Sequence, residues 1–267
     1  MDCSKLASEQ HPDVAVAVLA GGEGKRFRPL TYYISKPLIP IGSSERPVID
    51  IILEWITKSG VKYIVLLVGY KWRQLVNYVG DGTRYGAKVK YVVDKPPYSN
   101  TGGALRRAVE LGLFNGYRDV LVWYGDIVAP IDIHDLVKKH RDSEADITLV
   151  VSRSYRVPVG VVKIGDGGIV VDMKEKPLLD LEANIGVFIV KRESIERILA
   201  ESNLGCSFDI SEDLIPSAIR AKLKVNAYLF NGVWYDVGSI ERYEKIDHED
   251  LERLMCIEKE PPPYVYL

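Results

Sequence analysis

Three glycines, a lysine and two arginines crowd into the run Gly21-Gly22-Glu23-Gly24-Lys25-Arg26-Phe27-Arg28. The run follows an apolar stretch, Val14 to Leu19, of the kind that forms a buried strand. Glycines let the backbone turn tightly and present several N–H groups at close range, and the side chains add fixed positive charge. A buried strand that empties into such a loop is a place to hold phosphates. Two familiar phosphate loops do not fit. The Walker A pattern needs serine or threonine after glycine-lysine, and here Gly24-Lys25 is followed by Arg26. The dinucleotide fingerprint needs a third glycine where Phe27 stands.

The pattern that fits is glycine-glycine-x-glycine-x-arginine, then Pro29-Leu30-Thr31, then Ser35-Lys36-Pro37-Leu38. It resembles the signature of the nucleotide-sugar pyrophosphorylases, the sugar-1-phosphate nucleotidylyltransferases. Further motifs extend the resemblance from Val14 to Gly238. It implies that Leu19, Ala20, Gly21, Gly22, Gly24 and Lys25 cradle the nucleotide, that Arg26 holds its pyrophosphate end, and that Lys36 serves the α-phosphate region. Cations placed where charge develops on phosphate oxygens suit that transfer. Taken singly, Lys25, Arg26, Arg28 and Lys36 read equally as solvated surface cations.

Asp126 ends the apolar run Val122-Trp123-Tyr124-Gly125-Asp126. A carboxylate there suits Mg²⁺, a hard cation that shares oxygen ligands with substrate phosphates. A turn former is the plain alternative. Trp234-Tyr235-Asp236-Val237-Gly238 resembles the family segment whose aspartate is the second metal ligand, so the resemblance implies a Mg²⁺ on Asp126 and Asp236. Two acids so far apart in sequence can meet only if the sheet brings them together.

The resemblance also gives Asn100, Thr101, Gly102 and Gly103 to the base-facing segment, with Thr101 doubling as a helix N-cap. Threonine-glycine-glycine occurs in branches that use different bases, which leaves the base open. Glu175 and Lys176 correspond to the pair that holds sugar hydroxyls and sugar phosphate, and Gly160 and Asn184 to the sugar-contacting glycine and asparagine. An asparagine can both donate to and accept from hydroxyls. Gly160 and Asn184 read otherwise as turn or bulge residues, and Glu175 with Lys176 as an exposed charge pair. Asp213 matches an acidic family position without a role.

The elements that must position these residues follow from periodicity. Strands are expected at Val14–Leu19, Tyr63–Val68, Lys88–Val93, Val120–Tyr124 and Ile147–Val151, alternating with helices over Val48–Ile56, Trp72–Val79, Gly102–Leu111 and Ile133–His140. That alternation predicts an α/β fold with a mainly parallel, Rossmann-like sheet and helices on both faces, which the resemblance assigns to the nucleotide-diphospho-sugar transferase type. Ligands bind at the C-terminal strand ends of such sheets, which puts Gly21–Arg28 and Gly125-Asp126 on one edge. After residue 151 the pattern changes. Val159–Ile164 and Ile169–Met173 flank Gly165-Asp166-Gly167-Gly168 and read as a hairpin, the start of a small antiparallel sugar-binding lobe. Ile185–Val190 and Val225–Phe230 are further strands, Arg192–Leu199 and Ile210–Arg220 helices, and Ile240–Leu254 one charged, exposed terminal helix that could support a homo-oligomer. Residues 1–13 then form an extension, 14–256 one domain (14–151 nucleotide-binding, 152–238 sugar-binding, 239–256 terminal helix) and 257–267 a tail with Pro261-Pro262-Pro263. No short-period β-helix repeat follows residue 240, unlike the bifunctional acetylating relatives.

The chain has 267 residues, 47% hydrophobic and 27% charged, with net charge −2. This is ordinary globular composition without the basic stripe of a nucleic-acid binder. No apolar run reaches the roughly 20 residues a bilayer span needs, and the polar first thirteen residues have no signal-peptide core. Cys3, Cys206 and Cys256 have no paired metal spacing, so a reduced, cytoplasmic setting is expected. The four histidines form no ligand cluster, and no serine sits in a nucleophile elbow.

Together these features imply nucleotidyl transfer from a nucleoside triphosphate to a hexose 1-phosphate with Mg²⁺, leaning toward a guanylyltransferase on mannose 1-phosphate. The alternatives are a thymidylyl- or uridylyltransferase on glucose 1-phosphate, or a non-catalytic nucleotide-sugar-sensing subunit of an active paralogue.

Overall fold

The computed structural model describes residues 10–153, 159–177 and 181–257. Most of the expected N-terminal extension and nearly all of the proline-bearing tail lie outside the described residues. The chain runs β1 (Val14–Ala20), the short ladder β2 (Pro40–Ile41) and β3 (Arg46–Pro47), α1 (Val48–Lys58), β4 (Tyr63–Val68), α2 (Trp72–Val79), β5 (Lys88–Val93), α3 (Asn100–Glu110), β6 (Asp119–Tyr124), β7 (Ile127–Val128), α4 (Ile133–Asp142) and β8 (Ile147–Ser152). The second half adds β9 (Val161–Ile164), β10 (Val170–Lys174), β11 (Ala183–Lys191), α5 (Arg192–Glu201), α6 (Ile215–Arg220), β12 (Val225–Leu229), β13 (Tyr235–Asp236), α7 (Ile240–Tyr243) and α8 (His248–Leu254).

Seven strands form the central sheet in the order β12-β8-β11-β6-β1-β4-β5. Every pairing is parallel except those of β11, which runs antiparallel to β6 and β8. The expected α/β architecture with a mainly parallel sheet is therefore present. Strand β1 shows why helices cover both faces. Val14, Val16 and Val18 pack with Ile52 and Ile56 of α1 and Leu136 of α4. Ala15 and Ala17 point the other way, toward Leu105 and Ala108 of α3 and Ile195 of α5. With both faces buried, every β1 position wants an apolar side chain, which is why the sequence reads as a continuous apolar run. Each buried valine contributes about 1.5–3 kcal/mol, so a polar residue anywhere in β1 would be felt.

The 159–174 region is a two-stranded antiparallel ladder of β10 with β9, outside the main sheet, as the glycine cluster between them predicts. Its valines, isoleucines and methionine are exposed.

Three expectations are corrected. The terminal helix is not continuous. It breaks into α7 and α8, because Asp247 caps a new helix by accepting from the Asp250 N–H at 2.9 Å. It is not simply exposed either. Leu251 and Glu252 are buried, and Glu252 accepts from Ser43 Oγ at 2.5 Å, Ser44 N at 2.7 Å and Ser44 Oγ at 2.8 Å. Finally, Cys206 is a free thiol but Cys256 is disulfide-bonded, which departs from the expected fully reduced set. Among the described residues no helix is long and apolar enough to cross a membrane.

Candidate active site

Strands β1 and β6 are parallel neighbours in register, with Leu19 opposite Tyr124. Their C-terminal ends therefore deliver the glycine loop and Gly125-Asp126 to one edge, as the topology rule requires. Gly125 donates to the Leu19 carbonyl at 2.9 Å, and a Cβ at Gly125 would lie only 2.8 Å from that oxygen. A side chain there would push the two strand ends apart.

Between these ends lies a cleft of about 400 Å³. Of the residues singled out from sequence, Leu19, Ala20, Gly21, Gly22, Lys36, Asn100, Thr101 and Asp126 line it. A smaller hollow of about 340 Å³ adjoins it, lined by Gly24, Lys25, Arg26 and Gly238 and sharing Glu23 and Lys36 with the cleft. The loop thus has an inner and an outer side, with Lys36 between them.

Lys36 is held by local geometry. Gly24 has φ +63°, a conformation that favours glycine, and a Cβ there would lie 2.9 Å from Thr31 and 3.1 Å from the Lys36 side chain. Thr31 Oγ1 donates back to the Gly24 carbonyl at 2.9 Å. Pinned this way, Lys36 Nζ donates to Asp126 Oδ2 in a salt bridge whose partners are only 16% and 20% exposed. Arg26 is exposed and makes no ion pair among the described residues, and its guanidinium lies against Gly238. Lys25 and Arg28 are instead engaged with Glu23, at 3.5 and 3.2 Å, on the solvent side.

The two distant aspartates do converge. Strands β13 and β7 pair antiparallel with Asp236 opposite Ile127, and Val237 N donates to the Asp126 carbonyl at 2.8 Å. Asp236 Oδ2 accepts from Arg242, while Asp236 Oδ1 is buried without a hydrogen-bond partner. Among the described residues no group of three or more metal-ligating side chains exists. Main chain holds Asp126 and Asp236 side by side here, and the orphaned Asp236 Oδ1 is an oxygen that would serve a cation. This fits Mg²⁺, which commonly takes one or two carboxylates and completes its shell with phosphates and water.

Other expected site residues fall elsewhere. Gly102 and Gly103 do not face the cleft. They are buried, and a Cβ on them would land on the Phe208 ring and the Cys206 carbonyl, so α3 needs glycine to pack against 206–208. Thr101 is not the N-cap of α3, a place that Ser99 takes. Thr101 Oγ1 donates to Asp209 Oδ2 at 2.7 Å and accepts from Ile210 N at 2.9 Å, which ties α3 to the segment before α6. Gly160 faces Glu175 across the hairpin, since a Cβ there would lie 2.9 Å from Glu175 Oε2. Lys176 sits 4.0 Å from Glu175, and both are exposed. The carboxyl of Glu241 in α7 is held low, chiefly by a hydrogen bond from Lys245 and in smaller part by the charge of Lys176. Asn184 lies at a register shift of β11, its Oδ1 accepting from Gly186 N at 3.0 Å. Gly160, Glu175, Lys176 and Asn184 do not line the cleft.

The cleft also contains acids that sequence reasoning missed, Asp94 and Asp209. Asp209 caps the turn that follows it by accepting from Ser211 N at 2.7 Å and Glu212 N at 3.2 Å. Asp94 directly follows β5, so the same strand-end rule that flags Asp126 flags it too.

Residues 15–253 match the model of the nucleotidyl transferase family, and the chain belongs to that family. Among characterised relatives it is 30% identical over 240 residues to a UTP–glucose-1-phosphate uridylyltransferase of Synechocystis, covering 85% of this chain and 60% of that one. It is 31% identical to a glucose-1-phosphate adenylyltransferase of Thermomicrobium roseum, covering 86% and 58%. The chain thus spans about three fifths of the length of these relatives. In fold it resembles HddC from Yersinia pseudotuberculosis, with a TM-score of 0.68 at 23% identity over 88% of this chain and 98% of that one.

Proposed function

We propose that the protein transfers a nucleotidyl group from a nucleoside triphosphate to a hexose 1-phosphate, giving a nucleotide-sugar and pyrophosphate. The observation that carries this reading is the meeting of Asp126 and Asp236 across the β7–β13 ladder, beside Lys36 and next to the glycine loop.

No side-chain nucleophile is required. The sugar phosphate has a second pKa of about 6 and is largely a dianion at neutral pH. Its oxygen attacks the α-phosphorus in line, a new P–O bond forms, and the bond from the α-phosphorus to the bridging oxygen breaks as pyrophosphate leaves. The loop N–H groups and Lys36 hold the α-phosphate in place, and Arg26, unpaired among the described residues and lining the outer hollow, receives the departing pyrophosphate. Asp126 and Asp236 would hold Mg²⁺, which supplies charge neutralisation to the phosphates when bound. Lys176 and Glu175 would hold the sugar phosphate and hydroxyls from the hairpin.

Both relatives carry glucose 1-phosphate in their names, one with uridylyl and one with adenylyl transfer. The sequence reading leans instead toward guanylyl transfer to mannose 1-phosphate, while the threonine-glycine-glycine segment leaves the base open. Pyrophosphate release with Mg²⁺, across five nucleoside triphosphates and a panel of sugar 1-phosphates, separates these. Turnover with one pair, abolished in Asp126→Asn, is the expected result. Silence across the panel from folded protein that still binds a nucleotide-sugar would overturn transfer in favour of a sensing subunit.

A further inference from the structure

Each aspartate of the proposed metal pair carries a side-chain cation. Lys36 Nζ donates to Asp126 Oδ2, and Arg242 Nη1 donates to Asp236 Oδ2. Lys36 has a task in the proposed chemistry, but Arg242 has none. Its guanidinium covers one oxygen of Asp236, while the other, Oδ1, stays buried without a hydrogen-bond partner.

The fold fixes Arg242 in that place. It lies in α7, whose start is capped by Ser239, with Oγ accepting from the Arg242 N–H at 3.3 Å. The next residue, Tyr243, donates its hydroxyl to the Pro40 carbonyl at 2.7 Å. Its ring stands edge-on to Phe27 of the glycine loop, with 6.1 Å between centroids. Helix α7 is therefore fastened to the loop that also carries Arg26. Glu241, the acid beside Arg242 in sequence, is engaged by Lys245. Among the described residues Asp236 is the one carboxylate that Arg242 pairs with.

The charge balance gives this pairing a consequence. Asp126 and Asp236 with Lys36 and Arg242 form a formally neutral set, and the Arg26 guanidinium against Gly238 adds positive charge. A divalent cation gains little from a neutral set and is repelled by guanidinium groups a few ångströms away. Phosphate oxygens reverse that balance, because they bring negative charge and the remaining ligands together.

We propose that Arg242 is a built-in counter-ion of Asp236, which keeps the site from retaining a divalent cation alone and makes metal binding conditional on the phosphates of the substrate. This rests on the cleft being the transfer site proposed above. Arg242 acts through Asp236 and is a positioning residue. It holds Oδ2, offsets the carboxylate charge, and leaves Oδ1 as the oxygen presented to a cation.

The test uses the whole chain and Mn²⁺ as the probe, its bound fraction read by electron paramagnetic resonance without turnover. Titrations compare the natural sequence with Arg242→Gln, Arg242→Ala, Arg242→Lys and the double variant Arg242→Gln/Asp236→Asn. Each is run with and without pyrophosphate, the product common to every base. Loss of the guanidinium charge should tighten binding of Mn²⁺ alone by about ten-fold in the Gln and Ala variants. Arg242→Lys keeps the charge and should keep the natural affinity, and the double variant should lose the gain. With pyrophosphate the gain should shrink, since phosphate already supplies the negative charge. A merely structural Arg242 would instead loosen α7 and weaken Mn²⁺ binding in all three single variants. A folded Gln or Ala variant that binds Mn²⁺ no tighter than the natural sequence would overturn the proposal, as would a gain that survives Asp236→Asn. Tighter Mn²⁺ binding in those variants, with no pyrophosphate release by the natural sequence from any substrate pair, would overturn the transfer reading and leave the counter-ion standing. Turnover with one pair and no gain in Mn²⁺ affinity would do the reverse.

Discussion

The backbone N–H of Val237 donates to the carbonyl oxygen of Asp126 at 2.8 Å. The carboxylates proposed to share a metal are therefore registered by main chain, through the β7–β13 ladder, rather than by each other's side chains. Altering one side chain should leave the frame intact.

Asp236→Asn is the direct check. The substitution keeps shape and the β13 ladder but removes the charge. We expect kcat for pyrophosphate release to fall by about 10²–10³, the scale seen when one preorganised electrostatic contact is lost. The unfolding transition should move little, because the ion pair with Arg242 is partly exposed. A large loss of stability with the residual activity per folded molecule unchanged would place Asp236 in the scaffold instead.

Asp94 should cost stability at neutral pH. Burial raises its carboxyl above the ordinary value, with Arg107 opposing. A raised carboxyl favours the folded state when protonated, at low pH, and that contribution is lost as pH rises through the folded value. At neutral pH, then, Asp94→Asn should melt higher than the natural sequence. The difference should shrink as pH falls toward 4. Thermal melts of both proteins between pH 4 and 8 read this directly, and a gap that widens on acidification would contradict it.

Asp119 should behave in the opposite sense. It is fully buried, accepting from Arg141 Nε at 2.8 Å with His140 Nε2 at 3.6 Å. Burial works to raise its carboxyl, but the neighbouring His140 ring and the hydrogen bond and charge of Arg141 outweigh it and hold the group below its ordinary value. A depressed carboxyl stabilises the fold above its unfolded value, and the contribution is lost as pH falls through the lower folded value. Asp119→Asn should therefore lose about 3 kcal/mol at neutral pH, as when one partner of a buried pair is removed. The deficit should narrow only below about pH 4. Urea unfolding at pH 7 and pH 3 measures both limbs.

Gly102→Ala separates packing from binding. The new methyl would fall on the Phe208 ring, so the helix or the 206–208 segment must shift. A loss of about 1–3 kcal/mol is expected from overpacking, with nucleotide affinity changed less than stability. Unchanged stability with lost binding would return Gly102 to the nucleotide-facing set.

The parallel sheet was legible because buried strands need apolar residues on both faces, so β1, β4 and β6 stand out as runs. The place of Asp126 at a strand end was legible from the apolar run before it, whereas its pairing with Asp236 came from the family resemblance and not from local chemistry. Asp94 was missed although it follows the expected strand Lys88–Val93, because it stands between Val93 and Lys95 with no glycine beside it and only the sheet order shows what lies opposite. The capping of α3 misled for a related reason. Thr101 has the chemistry of a cap, but its hydroxyl serves Asp209, more than a hundred positions away in sequence. The break between α7 and α8 contains neither glycine nor proline, and its one signal is the spacing of Asp247 and Asp250.

Glu252 has a consequence for the order in which the chain can finish folding. Its carboxylate satisfies Ser43 and Ser44 from 209 and 208 positions away. The serine loop leads from the Lys36 turn into α1, so an early part of the molecule waits for its last described helix. Contacts of such sequence separation form late, after loop closure has been overcome. On a ribosome, where the amino-terminal strands emerge first, β1 and α1 will be exposed with the serine loop unlatched until residue 252 has left the exit tunnel. Latching of the serine loop is thereby tied to the arrival of α8.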